Sequence, residues 1–162
     1  MEGGHSGGCL CGNLRYNVDA SPMRLTMCCC HFCQKMTGAP MNALAGFSDA
    51  NFRLVRGKPR LYTHVSQGSG KEIHLNSCPE CFSTVYLHLE RFPGFTGVMT
   101  GSLDDPNWFE RTAQNTKYIF TGCAQKGALV QAGLPVFAEH TSDQNGNDIP
   151  PVIYDQHHMV RQ

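Results

Sequence analysis

Hydrophobic and polar positions alternate in short runs along this chain, and no run keeps a helical period. In LRYNV, residues 14–18, Leu14, Tyr16 and Val18 fall on one face of an extended segment. STVYLHL, residues 83–89, mixes β-branched and aromatic residues as strands prefer. NALAGF, RLYTHV, EIHLN and GVMTG are further strand candidates, punctuated by Gly, Pro, Asn and Asp. Helix is expected only as a turn after Cys30 and a short element near 48–52. With no internal repeat and no heptads, the pattern predicts a mainly β domain over residues 1–140. After about Phe137 the composition turns polar, AEHTSDQNGNDIPPVIYDQHHMVRQ, and 141–162 reads as a C-terminal extension. PPVIY could pack back onto the body, but a flexible terminus is the expectation.

Composition narrows the classes. A chain of 162 residues is long enough for one domain with a real core. Acidic and basic residues number 13 each, so the net charge points to neither nucleic acid nor an anionic membrane. No apolar run approaches the length of a membrane span. MEGGHSGGCLCG has neither a basic start nor an apolar stretch of the secretory type, so a reducing, cytoplasmic setting is expected. In that setting nine cysteines, an odd count at close spacings, argue for metal-binding thiolates over disulfides.

The thiols fall into three clusters and one outlier: Cys9 and Cys11, the run Cys28, Cys29, Cys30 and Cys33, the pair Cys78 and Cys81, and Cys123. Side chains two apart on an extended segment share a face. If MRLTMCCC is extended, Cys28 and Cys30 point one way and Cys29 the other. A turn after Cys30 then returns Cys33 to the first two, since C-x-x-C is the knuckle by which two sulfurs grip one ion. Cys9 and Cys11 make a second same-face pair, and Cys78 and Cys81 a second knuckle. Two plus two gives a closed Cys₄ site of the structural zinc type. The remaining three give a Cys₃ site with an open position, the catalytic type. Sulfur ligands favour zinc over magnesium or calcium. A zinc ribbon from Cys30, Cys33, Cys78 and Cys81 is the competing arrangement; none of the common ferredoxin runs is present. His31 lies within a knuckle and should point outward. His74 is expected as a solvated or hydrogen-bonding strand residue, and Cys123 as a small buried hydrophobe.

GGCLCGNLRY, CCCHFCQKMTGAP, CPECFSTVYLH, GSLDDP and LPVFAEH, in that order, resemble the glutathione-dependent formaldehyde-activating (GFA) family, which also includes centromere protein V. The resemblance runs from about Gly7 to His140. It implies a β-tent fold of curved antiparallel sheets. It implies a structural zinc on Cys9, Cys11, Cys78 and Cys81, and a catalytic zinc on Cys28, Cys30 and Cys33. Three departures stand out. Cys29 occupies a position where the family usually has histidine, and Phe82 one where it usually has glycine. KYIFTGCAQKGALV carries Tyr118 and no tryptophan, where a histidine and a tryptophan are usual.

Three thiolates on Zn²⁺ leave a net charge of −1, a poor setting for ionising water but a good one for an incoming thiol. The resemblance implies the matching carbon–sulfur lyase reaction: glutathione adds to formaldehyde, or the S-(hydroxymethyl)glutathione adduct cleaves. The expected partners are a small thiol such as glutathione and a small carbonyl compound. Lys35, Arg53 and Arg56 are candidate cations for glutathione's carboxylates. A zinc deaminase would need P-C-x-x-C, whereas Cys78 follows a serine. A zinc-stabilised interaction module without catalysis is the other class, as is a family member acting on a non-glutathione substrate.

Overall fold

The computed structural model describes residues 4–143 and 145–160. Twelve strands occur among them: β1 (His5–Gly8), β2 (Arg15–Val18), β3 (Arg24–Cys28), β4 (Asn42–Ser48), β5 (Phe52–Arg56), β6 (Arg60–Val65), β7 (Glu72–Ser77), β8 (Thr84–Leu89), β9 (Phe95–Met99), β10 (Thr116–Ile119), β11 (Leu129–Val130) and β12 (His158–Met159). The one α-helix among the described residues is α1 (His31–Thr37), and 3₁₀ turns cover Asp49–Asn51, Thr100–Ser102 and Thr121–Cys123. The protein is mainly β with curved sheets, as the alternation and the resemblance imply. The chain divides into two compact units. The first runs to Arg24 and resumes over Ala45–Glu110; the second takes Leu25–Leu44 and the chain from Arg111 onward.

In the first unit, β1–β2–β5 form a small antiparallel sheet. A second antiparallel run follows the order β9–β8–β7–β6, with the Ala45–Ser48 end of β4 beside β9. Bulges at Arg15/Tyr16 and Asn76/Ser77 break the two ladders locally, which bends strands and raises their twist. Leu14, Tyr16, Val18, Phe47, Val85 and Val98 are fully buried here. Close packing explains one of the quoted motifs. Gly7 in β1 forms a bridge to Leu103, and a side chain at Gly7 would collide with the Tyr16 ring and the Ser102 carbonyl. The Tyr16 hydroxyl lies 3.0 Å from Ser102 Oγ, and Arg15 grips Asp104 through both guanidinium branches. GGCLCGNLRY and GSLDDP are thus one piece of structure drawn from two places in the sequence.

In the second unit β3 and β10 pair in parallel, Cys28 opposite Ile119. This parallel pair stands beside ladders that are otherwise antiparallel. Tyr118, Val130, Leu134 and Val136 form a buried cluster against which Met27, Met41, Tyr154 and Val160 pack. Val152 and Val136 exchange two backbone hydrogen bonds of 2.9 Å, the Tyr154 carbonyl accepts from Gly133, and β12 pairs with β11. The segment expected as a flexible terminus is therefore docked, through these backbone bonds and the packing of Tyr154 and Val160, while Val152 and Ile153 stay more than half exposed. No helix among the described residues is long and apolar enough to cross a membrane.

Candidate metal centres

The first unit gathers Cys9, Cys11, Cys78 and Cys81 so that their four sulfurs lie within 4.8 Å of one another. Cys9 and Cys11 stand on the turn between β1 and β2. Cys78 and Cys81 stand on the turn between β7 and β8, closed by a Phe82 N–H to Cys78 carbonyl bond of 3.0 Å. Cys9 Sγ lies 3.5 Å from Cys11 Sγ, and Cys11 Sγ lies 3.7 Å from Cys78 Sγ. Zn–S bonds of about 2.3 Å set tetrahedrally put sulfurs about 3.8 Å apart, so the donor set fits a zinc ion. The sulfurs also have the partners that thiolates need. Leu14 N–H donates to Cys9 Sγ at 3.2 Å, and the Ser83 hydroxyl beside Cys81 holds that thiol down to about 5.

The second unit gathers Cys28, Cys30 and Cys33, again within 4.8 Å. Strand β3 ends at Cys28, and Cys30 is the extended residue that caps α1, its sulfur accepting the Cys33 N–H at 3.4 Å. One helical turn then returns Cys33 to the group. Gly38 ends the helix in the left-handed conformation, φ 68°, which glycine adopts without penalty. Hydrogen bonds from the Cys28 and Cys33 thiols draw Cys30 down to about 3. The same contacts push Cys28 up to about 12 and raise Cys33, because a second thiolate would face the first. Three thiolates this close require a cation among them, and three sulfurs fit a zinc ion with one position left over. The ribbon arrangement is overturned: Cys30 and Cys33 belong to one group, Cys78 and Cys81 to the other.

Cys29 stays out of the group although both neighbours are in it. It is 0% exposed, and its N–H continues the β3–β10 pairing to the Ile119 carbonyl at 3.0 Å. Burial raises its thiol to about 11. Cys123 is half-buried in a 3₁₀ turn and not the buried hydrophobe expected. A residue that the sequence reading passed over ties these parts together. The Gln34 amide donates to the carbonyls of Cys29 at 2.6 Å and Cys123 at 2.8 Å, and its oxygen accepts from Gln125 at 3.1 Å. Only the position of Gln34, one after Cys33 on a short helix, could have signalled it.

The remaining candidates have plain environments. His31 is exposed at the start of α1. His74 Nδ1 lies 3.0 Å from Thr63 Oγ1, the hydrogen-bonding strand histidine expected. Arg53 faces Asp19 at 3.6 Å, and Arg56 donates to the Gly12 carbonyl, so both are engaged within the first unit. Lys35 is exposed on α1, two positions after Cys33. The triplets Cys78-Pro79-Glu80 and His88-Leu89-Glu90 have the C-x-E and H-x-E spacing of deaminases, but neither glutamate joins a sulfur group. Glu90 is held by Lys71 and the Glu72 N–H, both at 2.8 Å.

Comparison with known proteins agrees with these motifs. The sequence model described as glutathione-dependent formaldehyde-activating enzyme matches residues 4–122. No curated protein sequence matches. One similar solved structure is the crystal structure of a Rhodobacter sphaeroides protein, 22% identical, with a TM-score of 0.48 over 61% of this chain and 87% of that one. With most of its length matched and the cysteines of both groups inside the match, the chain belongs to the glutathione-dependent formaldehyde-activating enzyme family.

Proposed function

We propose that this protein is a zinc-dependent carbon–sulfur lyase that joins a small thiol, glutathione in the first instance, to formaldehyde or a related carbonyl compound, and runs the reverse cleavage. In this reading Cys9, Cys11, Cys78 and Cys81 hold a structural zinc, and Cys28, Cys30 and Cys33 hold a catalytic one. The observation that carries it is the inequality of the two sulfur groups: four donors close a tetrahedron, three leave a place for a substrate. A zinc ion held by three thiolates supplies a soft Lewis acid that favours a fourth sulfur as its partner over oxygen.

The chain's own residues have defined tasks. Cys28, Cys30 and Cys33 fix the position at which the thiol enters, and the Gln34 hydrogen bonds hold the backbone that carries them. In the addition, the thiol sulfur forms a bond to the carbonyl carbon, the carbon–oxygen π bond breaks, and the thiol proton ends on the carbonyl oxygen as a hydroxyl. Cleavage reverses each change, so no oxidant or reductant is needed. Lys35, exposed just past Cys33, is the cation proposed to meet a substrate carboxylate.

Cobalt in place of zinc makes the fourth ligand visible. Glutathione should intensify the thiolate-to-cobalt charge-transfer absorption, and the zinc protein should speed exchange between formaldehyde and its glutathione adduct, followed by NMR against an enzyme-free control. Sulfur entry without faster exchange would retain the thiol site and assign it another electrophile. No spectral response to any small thiol would overturn the reading in favour of an interaction module.

A further inference from the structure

Four side chains stand in register on one face of the first unit. Thr63 is opposite His74, His74 opposite His88, and His88 opposite Thr96, across β6, β7, β8 and β9. His88 Nε2 lies 3.1 Å from Thr96 Oγ1, and the Thr96 hydroxyl donates to Asp49 Oδ1 at 2.6 Å. Thr96 is 1% exposed and sits between the half-buried His88 and the exposed Asp49, so the middle of the chain of bonds is buried and its two ends are open. A hydroxyl has one proton. Since Thr96 gives its proton to the carboxylate, its oxygen accepts from His88, and Nε2 must carry the imidazole hydrogen. Nδ1 of the neutral ring is then a bare acceptor. Neither that nitrogen nor Asp49 Oδ2 has a protein partner among the described residues.

His88 and Asp49 line an open cavity of about 250 Å³ whose other walls include Phe92, Pro93 and Phe95. The remaining titratable groups of the cavity are already matched. His74 Nε2 is 3.5 Å from the Glu72 carboxylate, and Glu90 is paired with Lys71. What the cavity offers is one carboxylate charge and one imidazole lone pair beside an apolar wall. A metal ion is not the indicated occupant, because only the two sulfur groups bring three donor atoms together among the described residues. The Arg24 guanidinium already lies 4.8 Å from the Phe92 ring centre and 4.4 Å from that of Phe95, which leaves the Asp49 end for a second cation.

We propose that this cleft binds a small ligand through a primary ammonium group, which donates to His88 Nδ1 and Asp49 Oδ2 while its carbon chain rests on the Phe92 and Pro93 side. The site is built wholly from the first unit and is independent of the thiol chemistry proposed above.

The test is long-range ¹H–¹⁵N NMR of the ¹⁵N-labelled, zinc-loaded protein at about pH 8, above the ordinary histidine range. His88 should show the Nε2–H tautomer. Propylammonium chloride should shift its Nδ1 resonance saturably, while tetramethylammonium chloride, a cation without N–H donors, should not. Asp49→Asn can still accept from Thr96 but loses the charge, and should weaken propylammonium about tenfold, the worth of one charged hydrogen bond. Thr96→Ser should keep the tautomer and Thr96→Val should lose it. If Thr96→Val does not fold, the wild-type tautomer and the two cations still decide. An Nδ1–H tautomer, an equal response to both cations, or no response overturns the proposal.

Discussion

Cys29 and its two neighbours differ by one position each, yet only the neighbours join a sulfur group. The alternation of an extended segment predicts that division. Strand β3 stops at Cys28, but the backbone stays extended through the cap residue Cys30, so the alternation survives the end of the ladder. Cys29→Ser should therefore keep two zinc ions per chain by elemental analysis, at a stability cost of about 1–2 kcal/mol for a hydroxyl placed in a buried apolar spot. Cys30→Ser should lose one zinc. Loss of zinc from Cys29→Ser but not from Cys28→Ser would show that the faces are assigned the wrong way round. At this scale the grouping of the thiols was legible because C-x-C and C-x-x-C are local geometry. Gln34 was not, since its three partners come from residues 29, 123 and 125.

The elements repeat this contrast. Strands β2, β4, β6, β7, β8 and β9 all lie on runs that the alternation picked out, and α1 follows Cys30 as expected. The short element expected near 48–52 is the 3₁₀ turn Asp49–Asn51, capped by Ser48, whereas β5 after it was not picked out. The parallel partner of β3 was missed because TKYI is four residues long and its pairing is fixed by the return of the chain, not by its own pattern. The knuckle turn before β8 carries the clearest departure from the family. Phe82 has φ 59° and is 67% exposed, so it bears left-handed strain and buries little. Phe82→Gly should relieve about 1 kcal/mol, read as a raised thermal midpoint with unchanged zinc content. A lowered midpoint would mean that the exposed ring has a contact worth more than the strain.

For the molecule as a whole, the two sulfur groups belong to different units and, as the proposed metal sites, should fail differently. Cys78→Ser breaks a closed site that joins two turns of one unit, and should give insoluble or unfolded protein. Cys30→Ser should give folded protein with one zinc and no thiol response. A wild-type protein that is soluble with one zinc per chain would contradict this pairing of roles. Division into two units was not legible in the sequence, because each is assembled from separated stretches and no linker marks the passage between them. The spacing of the sulfurs also sets an order in time. Cys28, Cys30 and Cys33 are six positions end to end, so they can meet as soon as that stretch exists, with little chain to close. Cys11 must wait for Cys78, 67 positions later, and for the strands that bring their turns together. A chain emerging from the ribosome therefore passes through a stage in which the three-sulfur group is the better trap for the first available ion. If both groups hold metal as proposed, the first ion available during synthesis meets the three-sulfur group before the four-sulfur group can close, and β10 and Cys123 brace that group only later.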